Sequence, residues 1–107
     1  MKLNPHKRGD SFVLTIELTK EDGSVIDLPM QDLKSEIRAK NNRLISEVEI
    51  LQTYTPGSYI LQVLDTSEWP LGEIYMDVKM REENVKTSTD TLIIPVVRDI
   101  TKFGDNQ

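Results

Sequence analysis

The stretch Glu73–Arg81 constrains this chain more than any other. Ile74, Met76, Val78 and Met80 alternate there with Tyr75, Asp77, Lys79 and Arg81. A period of two places one set on an apolar face and the other in water, the pattern of a half-buried strand. The alternation recurs from Ser11 to Leu18, where Phe12, Leu14, Ile16 and Leu18 interleave with Val13, Thr15 and Glu17, and Tyr59–Leu64 reads as an apolar strand. Between such runs stand turn formers: Glu21-Asp22-Gly23-Ser24, Thr55-Pro56-Gly57-Ser58 and Glu82-Glu83-Asn84. Pro56 before Gly57 is the order a type II turn requires, and Gly23 supplies a positive φ. About seven or eight short strands, with turn signals roughly every 8–12 residues, predict one antiparallel β-sandwich or barrel.

Two stretches need more argument. Val25, Ile26 and Leu28 read as a short return strand that Pro29 ends by removing a donor. Over residues 30–51, Met30, Leu33, Ile37, Leu44, Val48 and Leu51 carry helical spacing, and Glu36–Lys40 and Arg43–Glu47 would be favourable i,i+4 pairs. A hairpin competes. Leu33, Ser35, Ile37 and Ala39 would face one way, Lys34, Glu36, Arg38 and Lys40 the other. Leu44, Ser46, Val48 and Ile50 would return on the inner face. Two adjacent Asn residues suit a helix centre badly but tolerate turn geometry, so the hairpin, turning at Asn41-Asn42, is the expectation.

Residues 1–8 read as a flexible arm, 9–101 as the sandwich domain and 102–107 as a polar tail. The expected core holds Phe12, Leu14, Ile16, Ile37, Val48, Leu61, Val63, Ile74, Met76, Val78, Ile93 and Val97. The last strand runs from Thr87 to Val97, with a bend at Pro95. Its segment Thr91–Val97 is apolar on both faces, and such a strand is usually covered on both. If Ile93 and Val97 face inward, Leu92, Ile94 and Val96 need a cover, either the arm or a neighbouring subunit. Together with Trp69 they are the candidate interface. Trp69 also has the simpler reading of a plug at the end of the sandwich; the alternative is a partner anchor.

Composition narrows the function classes. Of 107 residues, 18 are acidic and 13 basic, giving a net charge of −5. Such a chain has no general attraction for a phosphate backbone, so no nucleic-acid partner is expected. No apolar run approaches the roughly 18 residues of a membrane helix, and the N-terminal stretch lacks the apolar core of a secretory signal. There is no cysteine and one histidine, so no disulfide or thiolate chemistry and no cysteine-based zinc site are expected, and no cofactor. Ser11, His6 and Asp10 match a nucleophile, a base and an orienting acid by type alone, without a sign of the locked geometry that catalysis needs. Arg8-Gly9-Asp10 is a tripeptide that some receptors read, but its simpler role is a turn into the first strand. Glu21-Asp22 and Glu82-Glu83 fall far short of a calcium cage. Tyr54, Tyr59 and Tyr75 are scattered.

A set of ordered motifs adds to this. Arg8-Gly9-Asp10-Ser11-Phe12 leads into a strand. Asp22-Gly23 precedes Ile26-Asp27-Leu28. Glu36-Ile37-Arg38 stands before a tight turn, and Pro56-Gly57-Ser58-Tyr59 opens a strand. The passage Trp69-Pro70-Leu71-Gly72-Glu73-Ile74-Tyr75-Met76-Asp77-Val78 and the closing Val97-Arg98-Asp99-Ile100-Thr101 follow. In order and spacing these resemble the small immunoglobulin-like β-sandwich proteins of tailed bacteriophages and prophages, including the N-terminal domain of upper-baseplate proteins. The chain departs from that pattern at Trp69 and at Glu82-Glu83-Asn84. The resemblance implies an Ig-like β-sandwich and a non-enzymatic structural component of the virion (tail, baseplate, neck or head), made in the host cytoplasm. It would associate with other phage structural proteins or with itself. The alternative is a bacterial Ig-like adhesion or carbohydrate-binding module.

Overall fold

The computed structural model describes residues 1–101; the expected tail, 102–107, lies outside the described residues. The described chain is all β apart from one 3₁₀ turn at Met30–Asp32. The strands are β1 (His6–Lys7), β2 (Phe12–Glu17), β3 (Leu33–Arg38), β4 (Leu44–Gln52), β5 (Ser58–Val63), β6 (Gly72–Glu82), β7 (Val85–Ser88) and β8 (Leu92–Val97). They form one sheet in the order β1-β8-β6-β3-β4-β5-β2, with β7 also on β6. All pairs are antiparallel except β1 with β8, so the sheet is mixed. The nine-residue β4 makes it curl. Up to Val48 it pairs with β3, and from Glu49 it pairs with β5. The sheet thereby wraps into a nearly closed barrel, with β1 and β2 as its two edge strands.

The hairpin expected at Asn41-Asn42 is present. Asn42 takes φ 70°, and the Asn41 carboxamide oxygen accepts from Arg43 N at 3.0 Å. The Asn pair thus meets the left-handed geometry by bonding to its own backbone. The inner positions are those that period two assigns: Leu33, Ser35 and Ile37 on β3 and Ile74, Met76, Val78 and Met80 on β6 are all buried. Tyr59, Leu61, Phe12, Leu18, Val48 and Trp69 complete most of the core.

The return strand at 25–28 does not form. Thr19 and Val25 make one isolated bridge, and the chain then leaves the ladder. The reason lies in Tyr59. Its buried hydroxyl donates to Leu28 O (2.7 Å) and accepts from Leu28 N (2.8 Å), so a side chain occupies both backbone groups that a neighbouring strand would use. Gly57 N donates to the Asp27 carboxylate at 3.1 Å. Residues 18–32 therefore strap across the end of the barrel.

The last strand differs more. It is two strands, β7 and β8, on one side of β6. Lys79 pairs with Ser88, but Met76 pairs with Leu92. Two residues of β6 face three, Thr89–Thr91, on the other strand. This is a bulge, and Thr89 stitches it by accepting from Val78 N through its hydroxyl (3.0 Å) and donating its own N–H to Val78 O (2.9 Å). One extra residue turns every following side chain to the other face. Ile94 and Val96 therefore lie in the core, with Leu92 half-buried against it, while Ile93 and Val97 point outward. The break falls at Thr89–Thr91, not at Pro95.

Residues 1–8, read as an arm and named as one of two covers for the last strand, run along β8. Leu3 N donates to Ile93 O and Ile93 N to Met1 O, both at 2.8 Å, and Arg8 N donates to Val97 O at 2.9 Å. Lys2 pairs with Glu73 at 2.7 Å. The chain's own N-terminus thus covers the outer edge of β8.

Candidate interaction surfaces

The residues with catalytic chemistry are engaged in holding the fold. Ser11 Oγ donates to Leu64 O at 2.9 Å. The His6 ring packs between Phe12 and Trp69, at centroid distances of 5.5 and 5.3 Å, and its Nε2 bonds Asp10 O at 2.9 Å. Ser11, His6 and Asp10 share the β1–β2 corner but form no relay. In Arg8-Gly9-Asp10, Gly9 takes φ 101° and its N–H donates to Thr66 Oγ1 (2.8 Å), which itself donates to Asp10 O (2.7 Å). Thr66 is fully buried, and this pair of bonds ties the turn after β5 to the corner before β2. Nothing in the local sequence marks Thr66 for this role. Its inward hydroxyl depends on a partner more than 50 positions away, which no local pattern signals.

The proposed interface residues have other duties. Trp69 is buried, and its indole N–H donates to Ser46 Oγ at 2.9 Å. It is a plug and not an exposed anchor. Ile94 and Val96 are core residues, and Leu92 lines an inner cleft. The acidic pairs sit in solvated turns: the Asp22 carboxylate caps Ser24 N and Oγ, which holds it below the usual aspartate range. No group of three or more His, Cys, Asp or Glu arranged to hold a metal occurs among the described residues. Tyr59 is internal, whereas Tyr54 is fully exposed, so the three tyrosines share no face.

Three exposed surfaces stand out among the described residues. The first is the edge of β2 at the barrel seam, which pairs with no second strand among the described residues. It is a regular six-residue strand containing no Lys or Pro, and Val13 on its outer face is exposed. A cleft of about 390 Å³ beside it is lined by Leu3, Leu14, Ile16, Leu18 and Leu92, among others. The second is the β6–β7 hairpin, whose turn residue Glu83 takes φ 58° and whose β7 residues are all exposed. The third is the outer face of β3 and β6, with a shallow groove of about 640 Å³ lined by Glu36, Arg38, Lys40, Tyr75, Asp77 and Lys79. The Arg38 guanidinium donates to Glu36 at 2.8 Å and, with a weaker pull from Lys34, holds that carboxyl below the usual glutamate range.

No family model matches the sequence, and no curated protein matches it significantly. Among solved structures, the chain is similar to part of an endo-fucoidan hydrolase from glycoside hydrolase family 107, with a TM-score of 0.58 and 16% identity over 94% of this chain. The match spans 13% of that enzyme's chain. At this identity the likeness is one of fold.

Proposed function

We propose that this protein is a non-enzymatic assembly module, a structural component of a tailed phage or prophage particle built on an Ig-like β-sandwich. The observation that carries the reading is where the polar chemistry goes. Ser11, His6, Tyr59, Thr66 and Trp69 all direct their polar atoms at the protein's own backbone or side chains. What faces outward is an open strand edge and a charged sheet face. An unblunted edge strand either invites pairing or serves it. The ordered motifs from Arg8 to Thr101 add the phage character. Mass spectrometry of purified tailed particles from the source strain tests this. Stoichiometric presence of the chain supports the proposal; intact particles without it overturn it.

The likeness to part of a polysaccharide-cleaving enzyme favours a second reading, a carbohydrate-binding module. Retardation of the protein in a gel containing fucoidan would favour that reading over the first.

A further inference from the structure

The outer face of β3 and β6 carries its charges in rows. Lys34 stands directly opposite Lys79, and Glu36 directly opposite Asp77. Like charges at directly opposed positions destabilise a sheet, yet here two such pairs lie side by side. Bonds within the chain relieve this only in part: Glu36 takes Arg38 at 2.8 Å and Lys34 at 3.5 Å, while neither Lys79 nor Asp77 has an ion pair among the described residues. The result is one basic row and one acidic row, with the Ser35–Val78 pair between them. The flanking rows hold Arg81 with Asp32 at 3.1 Å, and Arg38 opposite Tyr75.

We propose that this face docks on the same face of a second copy of the chain, through a two-fold axis lying across the strands over Ser35 and Val78. The proposal rests on the reading of the protein as an assembly module and names its partner. A two-fold axis in that place reverses the strand direction and keeps β3 over β3 and β6 over β6. Lys79 then meets the partner's Asp77, and Lys34 meets the partner's Glu36. The outer rows fit as well: Arg38 meets the partner's Asp32, and Arg81 lies over the ring of the partner's Tyr75, a cation–π arrangement. The pattern that is unfavourable in one chain becomes complementary in two. On β4 the same axis would bring Glu47 against the partner's Glu49, so the overlap stops at β3; Glu49 is held by Gln62 at 2.7 Å, where β4 crosses toward β5.

Sedimentation of the full chain tests this with two double variants, Lys34→Glu/Lys79→Glu and Glu36→Lys/Asp77→Lys. The unmodified protein should be dimeric at low salt and dissociate as salt rises, because the screening length falls from about 30 Å at 0.01 M to about 3 Å at 1 M. Each double variant should be monomeric, and an equimolar mixture should regain the dimer. General repulsion does not predict this outcome: the first variant is more acidic than the parent net charge of −5, but the second is nearer neutral and still should not associate. Should either double variant lose its β-sheet circular dichroism, Lys79→Glu and Asp77→Lys carry the same comparison, since neither side chain holds an ion pair within the described chain. A parent protein that stays monomeric at low salt, or variants that remain dimeric, would overturn the proposal. Particle composition is measured separately, so a monomer found in stoichiometric amount in particles would overturn the self-docking and leave the assembly reading standing.

Discussion

Removing the hydroxyl of Tyr59 should loosen the strap that closes one end of the barrel. The ring is 1% exposed, and its hydroxyl holds both backbone groups of Leu28, at 2.7 and 2.8 Å. In Tyr59→Phe the apolar packing stays and these two bonds go. A net hydrogen bond contributes about 0.5–1.5 kcal/mol, and an orphaned buried partner costs about 1–3 kcal/mol. Leu28 O keeps a bond from the Gln52 side-chain amide at 3.3 Å, so the orphan is chiefly Leu28 N–H, and the expected loss is about 2 kcal/mol. For a domain of this size that corresponds to a fall in Tm of roughly 10 °C. Urea denaturation should show a lower midpoint with an unchanged slope. Amide exchange should accelerate first at Leu28. The pH dependence adds a second signature. Burial raises the Tyr59 pKa above the ordinary tyrosine value, so the folded state favours the neutral phenol. That stability is fully present below about pH 10 and is lost as the pH rises through the folded pKa, a loss that Tyr59→Phe should not share. A destabilisation below about 0.5 kcal/mol, less than one net bond, would refute the idea that the hydroxyl holds the strap.

Other outcomes follow from burial and backbone geometry. Gly57 takes φ 78°, and an added Cβ would lie 2.9 Å from Val25 Cβ, so Gly57→Ala should cost more than the roughly 1–2 kcal/mol of left-handed strain alone; Gly23→Ala, at φ 89° with open space around it, should cost only that strain, and parallel thermal melts compare the two. Ile94→Glu should unfold the domain, because it places an unpaired carboxylate at a position with no solvent exposure; a folded variant by circular dichroism would return this strand to the surface. Trp69 emission should be blue-shifted in the native state and unmoved by dimerisation, since the indole is enclosed by His6, Phe12 and Ser46. Arg38 lowers the Glu36 pKa, so the pair's stability is present above the ordinary glutamate range and is lost as the pH falls through the lowered value. Glu36→Gln should flatten that acid limb by less than about 1 kcal/mol, as expected of a partly exposed pair.

Much of the fold is legible in the sequence because period two is local. Residues 33–38 and 73–81 declare their inner faces without reference to anything distant, and Asn41-Asn42 declares its turn. The failures have one kind of cause. The parity of β8 depends on a single extra residue at Thr89–Thr91, and that bulge exists only in relation to β6. Counting inward from Thr87, which lies opposite the buried Met80, a regular strand would bring Ile93 and Val97 inside. With the bulge, Ile94 and Val96 go in, and the apolar run that looked like an outer contact becomes core. The chain's own N-terminus bonds to the backbone of Ile93 and Val97 and so covers the edge of β8, while the Val97 side chain stays exposed. Residues 25–28 failed for a similar reason: a tyrosine 31 positions from Leu28 took the bonds that a strand would have used.

The charged face is half legible for the same reason. Alternation alone places Lys34, Glu36 and Arg38 on one outer face and Tyr75, Asp77 and Lys79 on another. It does not say that Lys34 stands beside Lys79, because register between strands more than 40 positions apart is a property of the folded sheet. A slip of two residues in one direction would keep every side chain on its face yet set Lys34 beside Asp77 and Glu36 beside Tyr75, and the like-charge pairs would disappear. That slip is blocked from inside. Ser35 Oγ donates to Asp77 O at 2.7 Å, and Ile37 sits opposite Met76 with both fully buried. The core thus holds the sheet in a register that leaves its outer face with like charges side by side, and a second copy of that face is a surface on which the same rows become favourable.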